Sequence, residues 1–273
     1  MMNIWLKGYG NNLGGQTAMT VFYFTATGNC LYAAKRIGGK LLSIPQVMRG
    51  DGFTFEDDVI GIVFPCYGFG MPHIVKRFLE KAVLRADYIF AVTTYGNKTA
   101  AALQNMEQFA AKFNIRFDYM NSLLMVDNYL PGYKMENQLE ALPEKDVDGQ
   151  LRRIIEDISI RKKFKPVPTK AEKVFTVLIQ SGSGLMGGKA DKKFIITSAC
   201  NTCKTCAKVC PVQNISVSET VEYLHHCEGC LACIHLCPQN AIHLKSEKST
   251  MRFRNENVTL REIIEANSEN KTT

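Results

Sequence analysis

The sequence predicts an α/β chain: a doubly wound parallel sheet followed by a small α+β domain rich in cysteine. Three observations predict it. Strand-length apolar runs alternate with helical patterns over the first two-thirds of the chain, as in a parallel sheet covered on both faces. The first strand runs through a polar loop with glycine, T-A-T-G-N-C at Thr25 to Cys30, into a helix. Near the C-terminus, eight of the ten cysteines fall into two copies of C-x2-C-x2-C-x3-C-P.

Residues 1–18 read as a loose extension, because Met19 directly precedes the first strand; they hold one lysine and no long apolar centre, unlike a signal peptide. Residues 19–25, MTVFYFT, are a buried strand. The loop Thr25 to Cys30 and the helical LYAAKRIGG that follows it have the form of a phosphate site. Successive backbone N–H groups and hydroxyls surround an anion there, and the helix N-terminus adds a favourable field. The loop is neither G-x-G-x-x-G nor a Walker A loop, since no Lys-Ser/Thr pair follows its glycine, so a dinucleotide or ATP site is disfavoured.

Val59 to Phe64 is the next apolar strand, and Pro72 to Arg85 a helix with proline in its first turn. Asp87 to Thr94 is a strand, Lys98 to Phe113 an alanine-rich helix, and Phe117 to Val126 the last strand. Ligands of such sheets bind at the carboxyl ends of the strands, at the topological switch point. Three loops meet at that edge: Thr25 to Cys30, Pro65 to Pro72 (PCYGFGMP) and Thr94 to Thr99 (TYGNKT). The second and third offer an aromatic among glycines, Tyr67 or Phe69 and then Tyr95, and two such aromatics can sandwich a flat ring. The glycines let backbone groups approach the ring edge. A phosphate loop with two aromatic loops points to flavin mononucleotide (FMN) above other ligands.

Pro143 to Phe164 reads as a closing helix, which K-P-V-P-T breaks. Residues 165–193 form a linker, with a flexible glycine-rich stretch at Ser181 to Lys193, and Phe194 to Ile196 opens the second domain. That domain, residues 194–250, is an internal repeat: Cys200 to Cys227, Cys210 to Cys237 and Ile215 to Ile242 are each 27 residues apart. The run is the ligand pattern of bacterial two-cluster ferredoxins, in which three cysteines hold one [4Fe–4S] cube and the fourth, before proline, ligates the other. One cluster is therefore expected on Cys200, Cys203, Cys206 and Cys237, the other on Cys227, Cys230, Cys233 and Cys210. Zinc and disulfides are the alternatives. Structural zinc favours paired C-x2-C knuckles across a longer gap, and disulfides suit small secreted chains. His225 and His226 precede Cys227 and are expected to hydrogen-bond near the cluster rather than ligate it. Residues 251–273 read as a tail, disordered from Asn267 on.

The chain carries 33 Lys and Arg against 26 Asp and Glu, a formal net charge of +7. Two thiolate-bound clusters and a flavin phosphate would add about six negative charges, so nucleic acid is not an expected partner. The lysine-rich stretch Arg161 to Lys173 is a solvated helix end and linker, or a face for an acidic redox partner. No apolar run approaches a membrane span. A reducing cytoplasm, where thiolates stay available for iron, is the expected location.

T-x-T-G-N-[ST] after a first strand is similar to the flavodoxin phosphate loop. Joined to the cysteine repeat, and with the Y-G-N loop and D-N-Y-L-P (Asp127 to Pro131), residues 19–260 resemble the flavodoxin–ferredoxin fusion proteins of anaerobic bacteria and archaea. The resemblance implies a flavodoxin-like doubly wound parallel five-stranded sheet over 19–164 and a small α+β two-cluster ferredoxin domain. It implies FMN held by Thr25, Thr27, Gly28, Asn29 and Cys30, with ring contacts from Tyr67, Gly68, Tyr95, Gly96 and Asn97; Asn128 and Tyr129 would close the far side. Cys30 departs from the pattern: a thiol is a weaker donor than a hydroxyl, and a helix N-terminus would lower its pKa, so weaker FMN retention is expected. Cys66 reads as a small core residue, His73 as a helix-start residue and Asp127 as structural. The expected function is electron relay between two clusters, FMN and protein redox partners, with no catalytic residue assigned. The alternative is an FMN-dependent reductase of a small substrate, fed by the ferredoxin domain.

Overall fold

The computed structural model describes residues 18–182 and 190–268. The expected extension before Ala18 lies outside the described residues, as do 183–189 of the glycine-rich stretch and 269–273 of the tail. In chain order the first unit runs β1 (Met19–Tyr23), α1 (Asn29–Ile37), β2 (Lys40–Ser43), α2 (Ile44–Val47), β3 (Thr54–Glu56) and β4 (Val59–Pro65). It continues with α3 (His73–Lys81), β5 (Val83–Arg85), β6 (Tyr88–Tyr95), α4 (Ala102–Ala111) and β7 (Tyr119–Leu124), then α5 (Met135–Glu140), α6 (Val147–Ser159) and α7 (Lys170–Gly182).

Five strands form one sheet in the order β2-β1-β4-β6-β7, every pairing parallel. Counted along the chain they stand 2-1-3-4-5, the flavodoxin-like doubly wound order, with its switch point between β1 and β4. Helices cover both faces, so the central strands are apolar throughout rather than alternating. Phe22, Ile60, Ile62, Phe90 and Val92 are all fully buried, each worth about 1.5–3 kcal/mol of transfer free energy. The register pairs Tyr23 with Val63, Pro65 with Thr94 and Tyr95 with Leu124, so the strands end together at one edge. The loops after β1, β4 and β6 meet there, as the strand pattern predicts.

Several boundaries differ from the sequence pattern for local reasons. The helix expected over Pro72 to Arg85 ends at Lys81 because Ala82 turns extended and Val83 donates its N–H to the Phe53 carbonyl at 2.8 Å, entering a short parallel pair of β3 and β5. The helix expected from Lys98 starts only at Ala102; the Ala101 N–H is taken by the Thr176 hydroxyl of α7 at 3.1 Å. The closing helix breaks at Asp146, whose φ of 43° stops the turn Pro143–Lys145 and whose carboxylate caps α6. Strand β2 has only Leu41 and Leu42 between polar ends, too weak a signal alone, and is recruited by pairing with β1.

Two stretches are more ordered than expected. The supposed linker holds α7, started by a capping box in which Thr169 Oγ1 accepts the Glu172 N–H at 3.2 Å and Glu172 accepts the Thr169 N–H at 2.7 Å. The supposed tail after residue 250 crosses the first unit and ends in α10 (Leu260–Asn267), capped by Thr259 and Glu262 in the same way. Val258 and Ile263 are fully buried and Asn267 nearly so.

The cysteine repeat forms β8 (Phe194–Ile196), α8 (Thr205–Lys208) and β9 (Ile215–Val217), then β10 (Val221–Tyr223), α9 (Ala232–His235) and β11 (Ile242–Leu244), all ahead of α10. Each element recurs 27 residues on. The first strand of each half pairs antiparallel with the last strand of a half: β8 with β11 across the repeat, β10 with β9. Left-handed backbone recurs at the same offset, at Thr202, Lys204 and Gln213 (φ 53°, 65° and 54°) and at Gly229, Leu231 and Asn240 (φ 67°, 58° and 45°). One cluster of buried apolar side chains runs from the central sheet through Val209, Ala232 and Leu236 to Val258 and Ile263, so the repeat shares its core with the sheet.

Candidate functional site: a loop-lined cavity beside two cysteine pockets

At the carboxyl edge of the sheet lies a cavity of about 580 Å3. Nine of the ten residues expected to hold FMN line it: Thr25, Thr27, Asn29, Cys30, Tyr67, Gly68, Tyr95, Gly96 and Asn97. The tenth, Gly28, shapes the loop. Its φ of 105° suits glycine, and an added Cβ would lie 3.0 Å from that of Asn255. Helix α1 begins there with no side-chain cap and no acidic residue in its first turn. Its leading N–H groups are therefore open to an anion.

The loop is held from outside. Asn255 donates its backbone N–H to the Thr27 carbonyl at 2.8 Å and its amide to Asn29 Oδ1 at 3.1 Å. Asn267 donates to the Thr25 carbonyl at 3.2 Å, and Asn128 to Thr27 Oγ1 at 2.6 Å. The loop's anchors thus include the segment after residue 250 that the sequence pattern gives to a tail. Cys30 lies with Sγ 3.1 Å from Thr94 Oγ1. Burial pushes its thiol up to about 12 against the weaker pull of Thr94, the opposite of the lowering expected at a helix start. Its sulfur is a neutral neighbour of any bound phosphate.

The second and third loops bring their aromatics to the cavity as expected. Tyr67 and Gly70 exchange backbone hydrogen bonds of 2.9 Å, a tight turn with Phe69 at φ 61°. Gly96 must be small, because a Cβ there would lie 2.0 Å from that of Asp127. Asp127 accepts the Tyr129 N–H at 3.1 Å, as a structural residue should. Asn128 and Tyr129 line the far wall. Helix α7 adds Phe175 and Ile179 as a roof, its Phe175 ring meeting Phe69 at 4.9 Å and 69°. Cys66, expected in the core, is instead only partly buried and lines the cavity wall, where burial raises its thiol to about 12.

The eight motif cysteines separate into two further small pockets. Cys200, Cys203, Cys206 and Cys237 line one; Cys210, Cys227, Cys230 and Cys233 line the other. These are the two crosswise sets expected from the spacing. Among the described residues no three His, Cys, Asp or Glu converge as one ion requires; tetrahedral zinc at 2.3 Å would need sulfurs about 3.8 Å apart. Each set of four instead lines its own small pocket. Backbone N–H groups point at sulfur: Asn214 to Cys210 at 3.2 Å, Gly229 to Cys227 at 3.3 Å and Ala241 to Cys237 at 3.3 Å. Such bonds stabilise thiolate and tune cluster potentials.

The sets differ in depth. Cys230 and Cys233 are buried, and burial holds both thiols well above the usual range, with the neighbouring thiols adding to it. Cys203 is exposed; hydrogen bonding to Thr205, then the charge of Lys208, lowers its thiol. Cys230, Gly229 and Leu231 also line the large cavity, so the deeper set shares a wall with it. His225 and His226 do not face sulfur as expected: His225 bonds Asp191 at 3.0 Å and His226 the Val212 carbonyl at 2.8 Å. His73 opens α3, as expected of a helix-start residue. Sequence reasoning missed Phe175 and Ile179, whose signal was the T-x-x-E capping box before α7.

No family model matches the chain. Among curated proteins, one component of an ion-translocating oxidoreductase complex from Methanosarcina acetivorans is 39% identical over 57 residues, 20% of this chain. The chain spans 22% of that relative's length. Similar solved structures include a flavoprotein in complex with FMN from Lactobacillus acidophilus (12% identity, 39% of this chain and 93% of the other, TM-score 0.31). A putative flavoprotein from Bacteroides uniformis is 17% identical over 46% of this chain and 97% of its own, with a TM-score of 0.33. An apo NADH:FMN oxidoreductase is 16% identical over 55% and 92%, with a TM-score of 0.37. Among the described residues no helix is long and apolar enough to cross a membrane.

Proposed function

We propose that the chain is an electron-transfer flavo-iron–sulfur protein that relays electrons between two [4Fe–4S] clusters and FMN. One observation carries this: Cys230 belongs both to a four-cysteine pocket and to the wall of the loop-lined cavity. When bound, the clusters supply one-electron transfer and the flavin one- or two-electron chemistry. The chain supplies eight thiols in two sets of four, N–H donors to sulfur, an uncapped helix start for phosphate, and aromatics for the ring. Tyr67 lines the cavity near the deeper cysteine set, and burial raises its phenol well above the usual range, so it keeps its proton.

The test is the content of anaerobically purified protein: about eight irons, eight sulfides and one FMN per chain are expected. Iron without flavin after added FMN would end the relay proposal.

A second proposal has one observation in its favour. A neighbouring cavity of about 660 Å3 shares Tyr67 and Gly68 with the first and is lined by His73, Lys76, Lys112 and Glu228. A small anionic substrate could enter there beside the ring, which would make the chain a ferredoxin-fed FMN-dependent reductase. Steady-state oxidation of the reduced protein by a panel of small electrophilic carboxylates separates the two, a pure carrier giving no turnover.

A further inference from the structure

We propose that the exposed face bearing Cys203, Lys204 and Lys208 is the docking surface for a protein electron carrier with an acidic face. This rests on the relay proposed above and adds the partner's chemistry and its landing site.

The repeat builds the same surface twice and uses it differently. In the second copy the surface is Glu228, Leu231 and His235, all buried against the sheet unit. Glu228 meets Arg77 at 3.4 Å, Leu231 lines the loop-lined cavity, and His235 bonds the Asn128 carbonyl at 2.7 Å. Twenty-seven residues earlier the same positions are Asn201, Lys204 and Lys208, and all three are exposed. The backbone is the same, with φ 58° at Leu231 and 65° at Lys204, each opening a short helix. One copy presents its cysteine loop to the partner inside the chain. The other presents an equivalent loop, with an exposed cysteine, to solvent.

The residue change states what approaches. A carboxylate paired with Arg77, a leucine, and a histidine bonded at both ring nitrogens suit a permanent internal joint; an amide and two cations suit a reversible joint with carboxylates. Exposed Glu219 and Glu222 stand on the β9–β10 hairpin, whose Val217 and Val221 line another wall of the pocket, so the lysines mark the α8 side of the rim. In the exchange one electron leaves the partner, which is oxidised by one electron, and one enters the chain at the Cys200, Cys203, Cys206 and Cys237 set. No bond forms or breaks and no proton moves.

The experiment is stopped-flow reduction of the loaded protein by a dithionite-reduced acidic bacterial ferredoxin, freed of excess dithionite, as a function of salt. The wild-type second-order rate constant is expected to fall steeply with ionic strength, as steered association does. The pair Lys204→Asp and Lys208→Glu is expected to slow the low-salt rate about tenfold or more, with the gap closing at high salt. Aspartate tolerates the left-handed backbone at 204 and caps α8, so the variant should keep the fold. Lys163→Glu with Lys170→Glu, in the other lysine-rich stretch, should stay within about twofold of wild type. A flat or rising salt dependence in the wild type overturns the proposal, whatever the variants do. So does loss of rate in the 163/170 pair instead of the 204/208 pair. Iron and flavin counts on the same samples separate the two failures. A chain without clusters ends the relay and this surface together, whereas a loaded chain indifferent to salt and charge ends only the surface.

Discussion

Cys30 and Gly28, neighbours in the first loop, answer to different forces. Cys30 stands at a helix start, which favours thiolate, yet it is buried, and burial wins by raising the thiol to about 12. At pH 8 such a group is about one part in 10⁴ thiolate, against roughly a quarter at an ordinary 8.5. Cys66 is raised to the same level. The cluster-loaded protein is therefore expected to show no fast-reacting thiol toward a disulfide reagent at pH 8. Mass mapping of rapid label to Cys30 would refute a buried neutral thiol. Gly28 is constrained by backbone and space together. Gly28→Ala would force a side chain to φ 105° and set its Cβ 3.0 Å from Asn255 and 3.1 Å from Val258. Strain of about 1–2 kcal/mol and overpacking of about 1–3 kcal/mol both apply. A double-mutant cycle of Gly28→Ala with Val258→Ala, followed by thermal unfolding, should show the two changes coupled, because Val258 is what the new Cβ meets; zero coupling would mean that the 255–258 segment does not press on the loop.

At the scale of elements, the segment after residue 250 is the unexpected support of the site. Thr259→Ala removes half of the α10 capping box and should cost about 1 kcal/mol, read as a lower unfolding midpoint. Asn255→Ala removes a side-chain bond to Asn29 in the anion loop. A hydrogen bond of about 1 kcal/mol, with Asn29 Oδ1 left unpaired, predicts FMN binding weakened about tenfold by fluorescence titration. The central sheet was legible because buried parallel strands are long apolar runs, and VIGIVF or IFAVTTY admits little else. The two cysteine sets were legible because the spacing recurs in register 27 residues on, which leaves one crosswise grouping. Helices α7 and α10 were not seen, although T-K-A-E and T-L-R-E announce them. Their bodies lie beside glycine-rich or polar stretches, and composition masked a local signal. Strand β2 and the α3–β5 boundary depend on pairing with distant chain, which no local pattern contains.

For the whole molecule, the cysteine repeat is built into the wall of the cavity rather than tethered beside it. His235, which burial pushes down to about 4, accepts the Phe253 N–H at Nδ1 (3.1 Å) and so donates from Nε2 to the Asn128 carbonyl. Lys248 reaches the Gly132 carbonyl at 2.9 Å, and Ser249 reaches Glu136 at 2.9 Å. Glu228 is held by Arg77 and by the backbone at His73 and Ile74, where α3 begins. These bonds join the repeat to the helices and loops around the cavity, and the apolar core is continuous across the joint. The apolar cluster inside the repeat, with Ile215, Ile234, Ile242, Leu244 and Phe253, includes Cys206, Cys210 and Cys233, so on the proposed reading bound clusters would be part of its interior. Removing iron with a chelator and mild oxidant is therefore expected to release FMN as well, because Gly229, Cys230 and Leu231 are wall residues and the segment through Asn255 leads out of the repeat. The two losses should share one time course when cluster bleaching and flavin fluorescence are followed in a single cuvette. Flavin that stays bound after complete iron loss would mean that the sheet unit holds its ligand unaided, and that the shared wall serves electron passage without serving binding.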